Sequence, residues 1–420
     1  MKVTVIVQQA FFWLLSLAPL MIILGNIVPP IPIKVHFISM GLIFLCALYL
    51  LMDYKHRASV FILGSILVVT QFVLNFWDIK NIIDFLFGPL VLVVMFDQLI
   101  NKKIPKEELL KHQKRFYYLL LVPVSIGILQ FFELLPITFW NAQYINFSYK
   151  DGIGIPRPNG LLYHGSELCI IIFFLAAMQF FSTKRSRYLV FAFLLFAAFS
   201  TYFKAILGGM AGLLILFIIF NVKPIFNIAK RLSNMVILLL VSIGALVGLS
   251  AILFLLNQTY QQTGYPFHPQ FLTGRGEVWN IYLDGIKEFS VLNYLFGNGI
   301  GSGPELFKTY ASPQNYYRLT LGEPLKEFYT PHNAVLGIFI NSGVFGLVSI
   351  STLFYYIFRN ITTWGIDFTR KNKHLAIAIM GVLLLTIGIT IVVFDMAIIW
   401  ICMGFLLIKW KYFLDDQVAN

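Results

Sequence analysis

"EFYTPHNAVLGIFINSGVFG", Glu327 to Gly346, is a polar segment that runs directly into an apolar one. Pro331, His332 and Asn333 stand at the join, and the apolar run continues to about 357. A run of roughly 20 apolar residues crosses a bilayer as a helix, so the stretch reads as an aqueous loop entering a membrane span. The rest of the chain agrees. It has 420 residues, of which 59% are hydrophobic and 12% charged, with a mean hydropathy of +0.80. A soluble chain carries about 25% charged residues. Twelve apolar runs can be counted, at roughly 9–28, 35–52, 58–75, 80–97, 116–135, 162–181, 188–202, 205–221, 235–256, 333–357, 375–393 and 396–412. The expected fold is an all-α polytopic membrane protein of about twelve transmembrane helices, a single integral membrane domain over 1–420. Pro29-Pro30-Ile31-Pro32 after the first run replaces a small-residue cleavage site, so that run is expected to be retained.

Orientation follows from the cations, because Lys and Arg accumulate in cytoplasmic loops. One set of loops and ends carries 21 of the 31, including the cluster from Lys102 to Arg115, Lys184/Arg185/Arg187 and Arg370/Lys371/Lys373. That face is taken as cytoplasmic, with both termini. The net charge of +12 then reflects topology and contact with anionic lipid, and no nucleic-acid partner is expected. Two segments on the opposite, periplasmic face are too long for turns: 136–161 and the large loop 257–332. No phosphate-binding GxxxxGK[ST] loop, DxD pair, HExxH or CxxC occurs. Cys46, Cys169 and Cys402 lie within apolar runs and read as small hydrophobes. Neither a metal nor a cofactor is expected.

The polar groups of the outer face need reasons. In "TGRGEVWNIYLDGIKEF", Thr273 to Phe289, the residues Val278, Tyr282, Ile286 and Phe289 repeat at helical spacing. This predicts an amphipathic helix lying on the membrane or roofing a cavity. Arg275 before it either binds an anionic ligand, helped by the helix start, or pairs with Glu277 or a lipid headgroup. Lys204 in "STYFKAILGG" falls between two apolar runs. It is either functional or a side chain snorkelling to the headgroups. Arg157 lies between two stiffening prolines, and His164 and Glu167 are three apart at a helix start, within reach of one another. His332 could serve as a general base at the mouth of the tenth helix, and Asp395 on the same face could orient it.

Taken in order, these motifs resemble the bacterial O-antigen polymerase/O-antigen ligase superfamily. The resemblance lies in Arg275 with Trp279, then Phe296-Gly297-Asn298-Gly299-Ile300-Gly301, His332-Asn333, and Gly343-Val344-Phe345-Gly346. "RPNGLLYHGSE" is similar to the superfamily's Arg-Pro-x-Gly segment. "STYFKAILGG" is similar to its Ser-x-Arg turn, with Lys204 where Arg is usual, so a point charge replaces a bidentate fork. The resemblance implies a GT-C-like glycosyltransferase of the bacterial inner membrane, acting on the periplasmic side on a glycan carried by undecaprenyl pyrophosphate. A polymerase passes the growing chain to the next lipid-linked repeat unit. A ligase, the alternative, passes it to lipid A–core. Implied partners are that lipid-linked oligosaccharide, membrane lipids and a chain-length regulator. On this reading Arg275, Arg157 and Lys204 bind pyrophosphate and His332 is the base, with Asn333, Glu277, His164, Glu167 and Asp395 in support. A lipid-linked oligosaccharide flippase fits less well, since its polar groups belong near the bilayer midplane and in repeated halves.

Overall fold

The computed structural model describes residues 2–27, 35–52, 79–100, 104–136, 147–150, 153–156, 158–162, 165–182, 185–201, 204–221, 275–313, 333–363, 379 and 397–418. In chain order the helices are α1 (Lys2–Ile27), α2 (Val35–Met52), α3 (Ile79–Ile100) and α4 (Lys106–Phe131). They continue with α5 (Gly165–Gln179), α6 (Arg187–Ser200), α7 (Lys204–Asn221), α8 (Arg275–Lys287), α9 (Val291–Phe296), α10 (Gly303–Tyr310), α11 (Ala334–Thr363) and α12 (Ala397–Val418). One departure from an all-helical chain is a small antiparallel hairpin, β1 (Phe147–Lys150) with β2 (Ile153–Pro156), in register Lys150↔Ile153.

Of the twelve expected spans, those at 58–75, 235–256 and 375–393 lie outside the described residues, Ile379 apart. The other nine overlap described helices, with the one expected at 116–135 beginning ten residues earlier, at Lys106. Two of them, Val3–Leu24 and Ala334–Leu353, are long and apolar enough to cross a membrane by length and composition.

Helices apolar on every side belong in the middle of an assembly. Thus α5 is buried continuously from Leu168 to its end, and α12 from Ile398 to Ile408. Between hydrocarbon-like surfaces the hydrophobic drive is weak and close van der Waals fit decides. Gly88 of α3 lies against the Trp400 indole and Gly404 of α12 against Met95, so a methyl group at either would strike the neighbour. Phe116 stacks on Phe405 at 4.3 Å, tying α4 to α12. The outward faces are apolar too: Ile6, Leu45, Leu189, Phe199, Ile215 and Val348 are exposed. Water-soluble surfaces do not carry apolar area on this scale.

A second, smaller core lies in the stretch between α7 and α11. Val278, Ile281, Tyr282 and Ile286 of α8 pack with Leu306 and Phe307 of α10 and Ile340 of α11. The apolar face of α8 therefore rests on protein.

Candidate functional site

Helix α11 is broken. Gly343 has φ 62°, ψ −156° inside it, a conformation that stops a right-handed helix and favours glycine. The break is filled by the glycine-rich loop after α9. Gly297, Gly299 and Gly301 all have positive φ, and Gly297 lies directly on the Asn341–Ser342 backbone. A Cβ at Gly343 would lie 2.6 Å from the Gly297 nitrogen. The Asn298 N–H donates to the Ile340 carbonyl at 2.7 Å, and the Gly301 N–H to Asn341 Oδ1 at 3.2 Å. Phe296 stacks on Phe345 at 4.8 Å. The Phe-Gly-Asn-Gly-Ile-Gly and Gly-Val-Phe-Gly motifs are thus two halves of one joint. The loop supplies hydrogen bonds at the point where the helix gives them up.

The candidate residues that the structure describes gather at helix starts. Lys204 is the first residue of α7 and Arg275 the first of α8. Cations are disfavoured at that end of the macrodipole by about 0.3–1 kcal/mol, so propensity does not put them there. Upstream of Lys204, Ser200 Oγ and Thr201 Oγ1 donate to the Ala197 and Ala198 carbonyls at 2.7 Å each, closing the end of α6. Glu277 is half-buried in the first turn of α8, and Glu167 half-buried in the first turn of α5, both on the favourable side of the dipole. Asn333 caps α11: its Oδ1 accepts the Leu336 N–H at 3.1 Å. The cap fixes where the helix begins, immediately after His332. His332, Arg157, His164 and Asp395 lie outside the described residues. Tyr282 is fully buried beneath α8 and donates to the Gly303 carbonyl at 3.2 Å; burial pushes its phenol well up, so it serves as a neutral structural donor.

A clamp that the sequence reading missed holds the Arg-Pro-Asn-Gly segment. α4 ends in a Schellman turn, with Glu133 in the left-handed region and Leu134 N–H bonded to the Leu129 carbonyl at 2.9 Å. This leaves Gln130 in the last turn, buried. Its Oε1 accepts from the Asn159 N–H at 3.0 Å and the Gly160 N–H at 2.9 Å, while its Nε2 donates to Asn159 Oδ1 at 3.0 Å. The turn so held is unusual. Gly160 and Leu161 both have positive φ, and Leu162 N–H closes it on the Asn159 carbonyl. A leucine with φ 67° is an outlier that persists only where its surroundings over-determine it. The signal available in the sequence was slight: a lone glutamine near the end of an apolar run.

A helical chain with an apolar outer surface and a broken helix has the character of a membrane-associated protein. Residues 170–351 match the family model described as O-antigen ligase (Wzy_C), in agreement with the O-antigen polymerase/ligase superfamily resemblance. The matched stretch is less than half of the chain. It takes in Lys204, Arg275, Glu277, His332, Asn333 and Gly343, and leaves out Arg157, His164, Glu167 and Asp395. No curated protein matches the chain.

Proposed function

We propose that the chain is a multi-pass inner-membrane glycosyltransferase that acts on the periplasmic side on a glycan linked to undecaprenyl pyrophosphate, and that it is a polymerase of surface polysaccharide. The family match supports glycan transfer of the ligase or polymerase kind and serves both equally. The observation that carries the reading is the placement of Arg275 and Lys204 at the starts of α8 and α7, against dipole preference.

The chemistry needs no nucleotide and no metal, because the pyrophosphate already activates the sugar. The acceptor hydroxyl oxygen attacks the anomeric carbon as the bond from that carbon to the pyrophosphate oxygen breaks. His332 takes the hydroxyl proton, and attack opposite the leaving group inverts the centre. Negative charge grows on the departing lipid pyrophosphate, where fixed cations and helix amides stabilise it most. Arg275, Lys204 and Arg157 are assigned that role. Glu277 and Asn333 support the two helix starts, and His164, Glu167 and Asp395 are assigned second positions around them. A chain-length regulator is the further partner this activity calls for.

The ligase is the second reading, favoured by the family model's own description. Deleting the gene and running the surface glycan on a gel separates the two. Lipid A–core bearing a single repeat marks a polymerase. Bare core, with polymer stranded on the lipid carrier, marks a ligase. Unchanged glycan removes both. In the polymerase case a well-expressed Arg275→Ala protein should fail to restore polymer, and full restoration would refute the assignment of that cation.

A further inference from the structure

A cavity of about 260 Å³ opens between the end of α8, α9 and α10, next to the glycine loop. It is small against the ~300–1,000 Å³ of sites for drug-sized ligands, and suits a single ring with its substituents. Its lining is unusual for a crevice on an amphipathic unit. Glu288 and Glu305 bring carboxylates, Asn293 and Asn298 bring amides, and Phe289 and Tyr310 bring rings. Among the described residues, no Lys or Arg lines it.

The two amides are held before anything binds. Asn293 Nδ2 donates to the Gly297 carbonyl at 3.2 Å and to Asn298 Oδ1 at 3.0 Å. Asn293 Oδ1 takes the Ser290 hydroxyl, and that hydroxyl in turn caps α9 through the Asn293 N–H. Asn298 is pinned by its own N–H to the α11 carbonyl of Ile340, and its Nδ2 donates to none of the described residues. The Phe289 ring is stacked against Phe339 of α11 at 6.4 Å. Gly285 keeps the wall thin: a Cβ there would lie 3.0 Å from both Leu306 and Tyr310. Fixed amides and two carboxylates beside a ring are what polyhydroxylated rings need: acceptors and donors for the hydroxyls, and an apolar face for the C–H side. Preorganisation of this kind lowers the entropic cost of binding.

We propose that this cavity is a carbohydrate subsite that takes one uncharged, hydroxyl-rich sugar ring of the glycan, away from the reacting bond. The inference rests on the glycan-transfer reading and adds a specificity to it. Two carboxylates accept hydroxyl donors and repel uronates and phosphorylated sugars. The cavity is built on the same glycine loop that fills the break in α11, so a ring bound there is tied to the joint.

The test uses the full chain in lipid nanodiscs and saturation-transfer NMR. The probe is oligosaccharide released by mild acid from the producing organism's own surface polysaccharide, with oligogalacturonate as the anionic comparison. Glu288 and Glu305 are exposed, so Glu288→Gln with Glu305→Gln, and separately Glu305→Arg, change the cavity without touching a core. Expected are saturation of the neutral sugar signals by the wild type, about tenfold weaker binding by the double glutamine variant, loss of binding by Glu305→Arg, and no response from the uronate. Absence of saturation by the wild type, equal binding by all three proteins, or equal response from the uronate would each overturn the subsite. The gene-deletion gel judges the transfer reading separately: a wild type that builds polymer yet shows no cavity-dependent binding defeats the subsite alone.

Discussion

Gln130 shows how one side chain can set a loop. Truncation to alanine would leave the buried Asn159 and Gly160 N–H groups without acceptors. Such a loss costs about 2 kcal/mol or more, and here it also frees a turn strained at Leu161. Gln130→Ala should lower the unfolding temperature in detergent and reduce polymer in the complemented deletion strain, because Arg157 is two residues from the clamp. Polymer equal to wild type would show that the clamp does not serve the site. His112, at the basic end of α4, makes a pH prediction. Its Nδ1 faces Ser16 Oγ at 3.4 Å and Arg115 Nη1 at 3.5 Å, and Arg115 lies 3.6 Å above the Trp13 ring. Burial first, and the Arg115 charge second, push the imidazole down to about 4. The unfolded chain then binds a proton below about pH 6.5 that the native state takes up only near 4. Native stability should therefore fall as pH drops through that window. Melting between pH 7 and 4 should show His112→Gln losing less than wild type; parallel losses would place the sensitivity elsewhere.

At the scale of elements the joint between α9, its glycine loop and α11 dominates. Gly343→Ala and Gly297→Ala each combine a positive φ with a Cβ driven into facing backbone. Each should cost more than about 2–3 kcal/mol and show as low membrane yield or early melting. Gly208, with open space around its Cβ position, is the control: Gly208→Ala should melt like wild type or slightly above it. A wild-type melting profile for Gly343→Ala would mean that the break is not fixed by its contacts. α9 adds a second expectation. None of its residues is buried, and Val291, Leu292 and Leu295 are 77%, 53% and 38% exposed. A short helix with this surface beside a break in an apolar helix is expected to dip into the outer leaflet. Leu292→Cys should react with a lipophilic maleimide and resist a hydrophilic one, whereas Glu305→Cys should react with the hydrophilic reagent. Equal hydrophilic labelling at both positions would put α9 in water.

Across the molecule, what the sequence revealed depended on range. Apolar length is local, so the runs that became α1, α5 or α12 were visible without partners. Helical spacing is local as well: Val278, Tyr282 and Ile286 share a face by period, and that face is buried. Its choice of α10 and Ile340 over lipid depends on contacts far along the chain. The Gly343 break was hidden for a related reason, since a glycine within an apolar helical run reads only as a small cost until a loop is placed against it. Asn333 stands out in the sequence only as the partner of His332, and its role as the cap of α11 needs the folded backbone to be seen. Topology is the remaining whole-chain quantity, and charge bias alone assigns it. If 21 of 31 cations mark the cytoplasmic face, reporters fused along the chain must alternate. Alkaline phosphatase, active only outside the inner membrane, should be active when fused after Ser312 and inactive after Lys103. Green fluorescent protein, exported unfolded by the general secretion route, should give the reverse. Inverted signals would turn the protein over, placing Arg275, the glycine joint and the cavity beneath α8 in the cytoplasm, where a lipid-linked glycan already flipped outward could not reach them.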